Sequence, residues 1–213
     1  MGQTKNHDRY TLAFKPQVNL SAQEIIIMKI EFRLAENNDI DEILKLHYRY
    51  QVGSINEEDK KDGFITTAFD EEQLAELIEK EGGLFVAIKE NLIVAYAMAA
   101  SWGFWSKWPM FAHMMEDLSN LEYQGYSLSI DNSYQYGPVC VDKSVRGEGV
   151  FEGIFSYALE EMEKRYPVLV TFINKINPRS FVAHTRKAGL DVIQEFEYNN
   201  NQYYYLACLT SKA

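Results

Sequence analysis

The feature that most constrains the fold is a single change of pattern in the second half of the chain. An apolar, strand-like run from Ser133 to Val141 feeds a loop, Arg146-Gly147-Glu148-Gly149. Beyond it Phe151, Ile154, Phe155, Ala158, Leu159 and Met162 fall on one side of a helix. Two glycines between a strand and a helix let the backbone turn tightly. The first amides of the helix, lacking intrahelical acceptors, then point outward with the positive end of the dipole. Such a loop is an anion cradle.

Three kinds of protein use this device. A P-loop needs Gly-Lys-Ser/Thr after its glycines, and Gly149-Val150-Phe151 offers none. A dinucleotide fold wants its third glycine three residues after the second, but Gly153 comes four after, and the early placement in a βαβ unit is absent. Those two readings fall away.

The third fits. Val139 to Phe155 resembles the acetyl-CoA motif of the GNAT superfamily of N-acetyltransferases, with signature Gln/Arg-x-x-Gly-x-Gly/Ala after a hydrophobic strand. Arg146 matches the first position and Gly149 the fourth, while Phe151 departs from the sixth. A second segment, Asn177-Pro178-Arg179-Ser180 through His184 to Gly189-Leu190, resembles the superfamily's Asn-x-x-Ala/Ser…Tyr…Gly-Phe helix.

The resemblance implies that the amides of Arg146, Gly147, Glu148, Gly149, Val150 and Phe151 hold the pyrophosphate of acetyl-CoA. It also implies that the backbone of Val139 and Val141 pairs with the pantetheine arm and acetyl carbonyl, with Asn177 and Ser180 as further contacts. The tyrosine that protonates the departing thiolate is missing. Seven residues on from Asn177 stands His184, whereas four back from Gly189 stands Thr185, an offset of one residue. His184 is therefore the candidate acid, with packing beside the coenzyme as its plainer reading. Tyr136 is the candidate base, with a sheet-filling aromatic as the alternative, and Glu116 and Tyr203 to Tyr205 are weaker candidates. A Cys140–His184 nucleophile is disfavoured against direct sequential transfer.

The rest of the chain supplies a matching order of elements. A strand from Ile30 precedes a helix that Asn38 or Asp39 can cap. Another helix starts near Asp70 and stops at Gly82-Gly83. Leu84 to Ile88 and Leu92 to Ala100 read as a hairpin, and Val168 to Ile173 as a further strand. Pro178 opens a helix that Gly189 stops, and Val192 to Tyr198 and Gln202 to Leu209 close the chain as a hairpin across Asn199-Asn200-Asn201. The expected fold is α/β (α+β): a GNAT-like mixed, mostly antiparallel central sheet with helices on both faces. Residues 28–213 form the domain and 1–27 a poorly ordered extension, unless Ile25-Ile26-Ile27 prolongs the first strand.

With 21 basic and 31 acidic residues the formal charge is -10, which argues against nucleic acid and suits a cationic amine. Cys140 and Cys208 are too few for a disulfide framework or zinc site, so no metal is expected and both should be buried thiols. No run reaches roughly 18 apolar residues and Met1 to Lys15 lacks a signal-like core, so neither a membrane nor export is expected and the compartment should be the cytoplasm. Trp102, Trp105 and Trp108 mark the stretch 101–131 as core, as the face of a homodimer, or as the lining of a substrate pocket. The expected partner is a primary amine on a small molecule or peptide. An acetyl-CoA sensor without turnover is the alternative, and an interaction protein, its glycine loop merely a turn, a third reading.

Overall fold

The computed structural model describes residues 30–60 and 63–211. The expected extension 1–27 and the Ile25–Ile27 run lie outside them.

Among the described residues seven strands form one sheet, in the order β1-β2-β3-β6-β7-β9-β8. They are β1 (Glu31–Leu34), β2 (Leu84–Lys89), β3 (Leu92–Ala100), β6 (Ser133–Val141), β7 (Val168–Asn174), β8 (Asp191–Tyr198) and β9 (Asn201–Leu209). All neighbours are antiparallel except β6 and β7. Alternation along the strands divides the core. Leu84, Val86, Tyr96 and Met98 face one side, where α1 (Ile40–Tyr50), α3 (Glu71–Glu76), α4 (Trp102–Trp105) and α5 (Pro109–Asp117) pack. Phe85, Ala95, Ala97, Tyr134 and Tyr136 face the other, against α6 (Val150–Glu163). Both faces are thus covered, which is why β2 and β3 read as near-continuous apolar runs.

Local chemistry sets the ends of the elements. Asp70 caps α3 by accepting from Gln73 N at 2.9 Å, and Gly82 stops the helix at φ 53°. Asn199 and Asn200, at φ 47° and 60°, make a two-residue turn between β8 and β9. Asn201 lies in β9 rather than in the turn, because it pairs with Tyr198.

Four features depart from the expectations. The first helix is capped differently: Glu36 starts a 3-10 turn, Asn37–Asp39, and Asp39 accepts from Glu36 N while gripping Arg33 at 2.7 and 2.9 Å. A one-turn helix, α2 (Glu57–Lys60), follows α1. A small ribbon, β4 (Glu122–Tyr123) and β5 (Tyr126–Ser127), turns at Gln124 and Gly125, both with positive φ. Finally, helix α7 (Pro178–Val182) runs on as a π turn over Ala183–Lys187, with Ala188 N donating to Ala183 O at 3.1 Å. A π turn absorbs one extra residue, so it accounts for the offset between His184 and Thr185.

Among the described residues no helix is long and apolar enough to cross a membrane. The tryptophans settle into the core. Trp102 and Trp105 are fully buried, their indoles donating to Ser133 Oγ at 3.1 Å and Gln135 O at 3.2 Å, and Trp108 packs on Phe69. Both cysteines are buried free thiols.

Candidate functional site

The site begins where the sheet comes apart. β6 and β7 pair over Ser133↔Val168, Tyr134↔Leu169 and Gln135↔Val170, and then the ladder ends. At that point Tyr136 O accepts from Thr171 Oγ1 and from Gln135 Nε2, each at 2.6 Å, in place of a strand amide. Beyond it β7 pairs only with β9, and β6 only with β3. Asp142 N donates to Val94 O, so the alternation of the ladder turns Cys140 toward β3 and leaves the peptide groups of Val139 and Val141 facing the gap.

The glycine loop closes one end of this gap. Asp142 accepts from Ser144 N at 2.9 Å and caps a 3-10 turn, after which Gly147 and Gly149 take φ 89° and 81°. A Cβ added at either glycine would meet nothing within 4 Å, so torsion, not crowding, requires glycine there. Gly153 N donates to Gly149 O, the first bond of α6. The amides of Val150 and Phe151 therefore have no intrahelical acceptor, while that of Glu152 bonds its own carboxylate.

The last turn of α1 props the loop. Tyr50 OH accepts from Lys143 N at 2.8 Å, Arg49 pairs with Asp142, and the Arg146 guanidinium lies 5.2 Å over the Tyr50 ring while its Nε donates to Val141 O at 3.1 Å. Burial pushes the Asp142 carboxyl up, but its bonds from Ser144 and Arg49 outweigh that and hold it below the usual range. Glu148 and Glu152, acidic residues beside an anion cradle, are drawn to Lys89 at 2.6 Å and Lys187 at 2.9 Å. The bond from Lys187 holds Glu152 below the usual carboxylate range.

Between loop and gap lies a cavity of about 520 Å³. Of the ten residues expected to hold a coenzyme, Val139, Val141, Arg146, Gly147, Val150, Phe151, Asn177 and Ser180 line it, and Glu148 and Gly149 do not. Asn177 caps α7 by accepting from Ser180 N at 3.1 Å. Sequence reasoning missed Tyr50, Gly63, Phe64 and Ile65, which line the same space. The last of these reaches the site because Ile65 N donates to Tyr50 O and Val52 N to Ile65 O, a single bridge with no sequence signature. A second cavity of about 140 Å³ adjoins the first, sharing Phe64, Ile65, Val139, Asn177, Ser180 and His184.

His184 sits at the junction of the two cavities. Its Nδ1 lies 2.8 Å from Ser180 O, and a carbonyl only accepts, so the neutral ring carries its proton on Nδ1. Burial pulls its pKa down to about 4, opposed by the Ser180 carbonyl. Such a ring accepts through Nε2 at neutral pH and has no second proton to give. The expected acid is thereby better placed as an acceptor. Its ring stands 5.1 Å from Phe151, so the two departures from the GNAT pattern touch each other.

Tyr136 is fully buried against Phe155, its hydroxyl has no partner, and burial drives its pKa far up, which suits a sheet-filling aromatic and not a base. Burial likewise raises the Cys140 thiol, on the opposite face from Tyr136. Glu116 is exposed and lines neither cavity. Tyr203 lines the smaller cavity.

A second buried imidazole, His47, bonds Tyr96 OH through Nδ1 at 2.7 Å and is pulled down to about 4 by burial. In the unfolded chain both histidines protonate near pH 6.5. Their folded pKa values are depressed, so the unfolded state binds more protons below pH 6.5. Stability is full above that pH and falls as pH drops toward 4. Melting temperatures from pH 7 to 4 should decline through this window, and less steeply in His47→Gln. Parallel pH profiles for parent and variant would refute the contribution of His47.

No protein-family model matches the chain, and no curated protein matches it. Solved structures do. A GNAT-family acetyltransferase from Listeria monocytogenes is similar over 84% of this chain and 94% of its own, with a TM-score of 0.57 and 16% identity. The structure of yncA from Salmonella typhimurium with its cofactor acetyl-CoA matches 86% of this chain and 95% of its own (TM-score 0.57, 13% identity). The ribosomal-protein-S18-alanine N-acetyltransferase from Escherichia coli matches 87% and 96% (TM-score 0.56, 12% identity). The likeness is one of fold: a mostly antiparallel seven-stranded sheet flanked by helices, as in GNAT acetyltransferases.

Proposed function

From this fold, shared with the GNAT acetyltransferases, we propose that the chain is an acetyl-CoA-dependent N-acetyltransferase acting on a primary amine of a small molecule or peptide. One observation carries the reading: a continuous cavity runs from the amides of Val150 and Phe151 at the start of α6 to the edge of β6 that β7 leaves open.

Those residues fit the coenzyme. The amides of Val150 and Phe151, with the open loop at Gly147, would hold the pyrophosphate, and Val139 and the N–H of Val141 would pair with the pantetheine arm as a missing strand would, Arg146 already bonding Val141 O. Arg146 and Lys187 line the same cavity and add positive charge in an otherwise acidic chain. Acetyl-CoA held there would supply an activated acyl thioester for transfer to a neutral amine, with the amide and the free coenzyme A thiol as products. His184 accepts a hydrogen bond through Nε2 and orients the group that donates it. Tyr136 and Phe155 hold the floor beneath His184.

A second reading, an acetyl-CoA sensor without turnover, is favoured by one observation: the ring proton of His184 is committed on Nδ1 to Ser180 O, and the Tyr136 hydroxyl is sealed in the core. One experiment separates the two. Millimolar acetyl-CoA should raise the melting temperature in both cases, and a panel of amines should release free thiol only from the enzyme. Absence of any thermal shift would sink both readings.

A further inference from the structure

Resting on the transferase reading, we propose that the acceptor is a compact primary monoamine carrying one aromatic ring, held in the smaller cavity between the parted ends of β6 and β7. Size comes first. The cavity measures about 140 Å³, and an apolar cavity of about 150 Å³ is known to take up benzene. Its position suits an acceptor, because Val139, Asn177, Ser180 and His184 belong to both cavities and an occupant there abuts the end of the larger one.

The walls choose the chemistry. Phe111 from α5, Phe172 from β7 and Tyr203 from β9 follow one another edge to face, at 5.5 Å and 72° and then 5.7 Å and 70°. Phe64 lines the same cavity. Rings in this arrangement offer both faces and edges to a further ring, and their faces attract an ammonium. Among the described residues that line the cavity none is Asp, Glu, Lys or Arg. A second cationic centre on the acceptor would be buried there without a partner, at high cost. The same desolvation favours the neutral form of a single amine, which is the form that attacks.

The test is thiol release by the full-length protein with acetyl-CoA and four acceptors: benzylamine, 2-phenylethylamine, spermidine and a short peptide with a free N-terminus. The two aromatic monoamines should show kcat/KM about tenfold or more above the others. Tyr203→Leu and Phe172→Leu, at half-buried positions, should each raise KM for benzylamine about tenfold while the thermal shift caused by acetyl-CoA stays as in the parent. Preference for spermidine or the peptide, or an unchanged KM in both variants, would overturn this inference and leave the transferase reading standing. Loss of the acetyl-CoA shift in the parent would remove both.

Discussion

Gly149→Val is expected to weaken acetyl-CoA binding by about a hundredfold, ~2.7 kcal/mol, and to cost the ligand-free fold about 1–2 kcal/mol for the left-handed torsion. Gly149 precedes α6 at φ 81°, a torsion that a β-branched residue rarely adopts. Space is not the obstacle, since an added Cβ meets no atom within 4 Å. Nor does Gly149 line the cavity itself. Its torsion aims the amides of Val150 and Phe151, which do. Valine would turn the chain out of the left-handed region and swing those amides away. Gly149→Asn, which tolerates that region, should keep most of the affinity. Titration of acetyl-CoA into the three proteins decides it, and parent-like binding by Gly149→Val would refute the cradle.

Gly83→Ala should prevent folding altogether, a loss of about 4 kcal/mol or more. Here φ is unremarkable and room is the limit: an added Cβ would lie 1.7 Å from Ala99 O and 2.9 Å from its carbonyl carbon. Ala99 cannot retreat, because its own N–H donates to Gly83 O at 2.7 Å and the neighbouring residues, Leu84 and Met98, open the β2–β3 ladder. Gly82→Ala next door is the control. It has open space and only a left-handed torsion, so it should cost about 1 kcal/mol. Denaturant unfolding of the two variants gives the comparison, and a soluble, stable Gly83→Ala would contradict the close approach.

Where the sequence was legible, the governing physics was local. The span of β6, the glycine stop after α3 and the asparagine turn between β8 and β9 follow from periodicity and from which residues accept a positive φ. The residues that were not legible depend on distant partners. Phe64 and Ile65 carry no period and reach the site through two backbone bonds to the end of α1. The π turn after α7 showed only as a one-residue miscount, because the sequence does not reveal that Ala188 N selects Ala183 O. For His184, residue type suggested a proton donor. The position of the Ser180 carbonyl reversed that, and only coordinates supply it. Phe151 and His184, read separately, looked like two defects in a pattern. They are one contact.

The three-residue pairing of β6 with β7 makes the sheet a pair of half-sheets stitched at one end. Mechanically, the free length beyond Gln135 and Val170 behaves as an unzipped seam. A molecule that fills it would do a strand's work in closing it, so occupancy should be felt as resilience across the fold, growing with the logarithm of its concentration above the dissociation constant. For this chain, being loaded and being robust would then be two aspects of one closure.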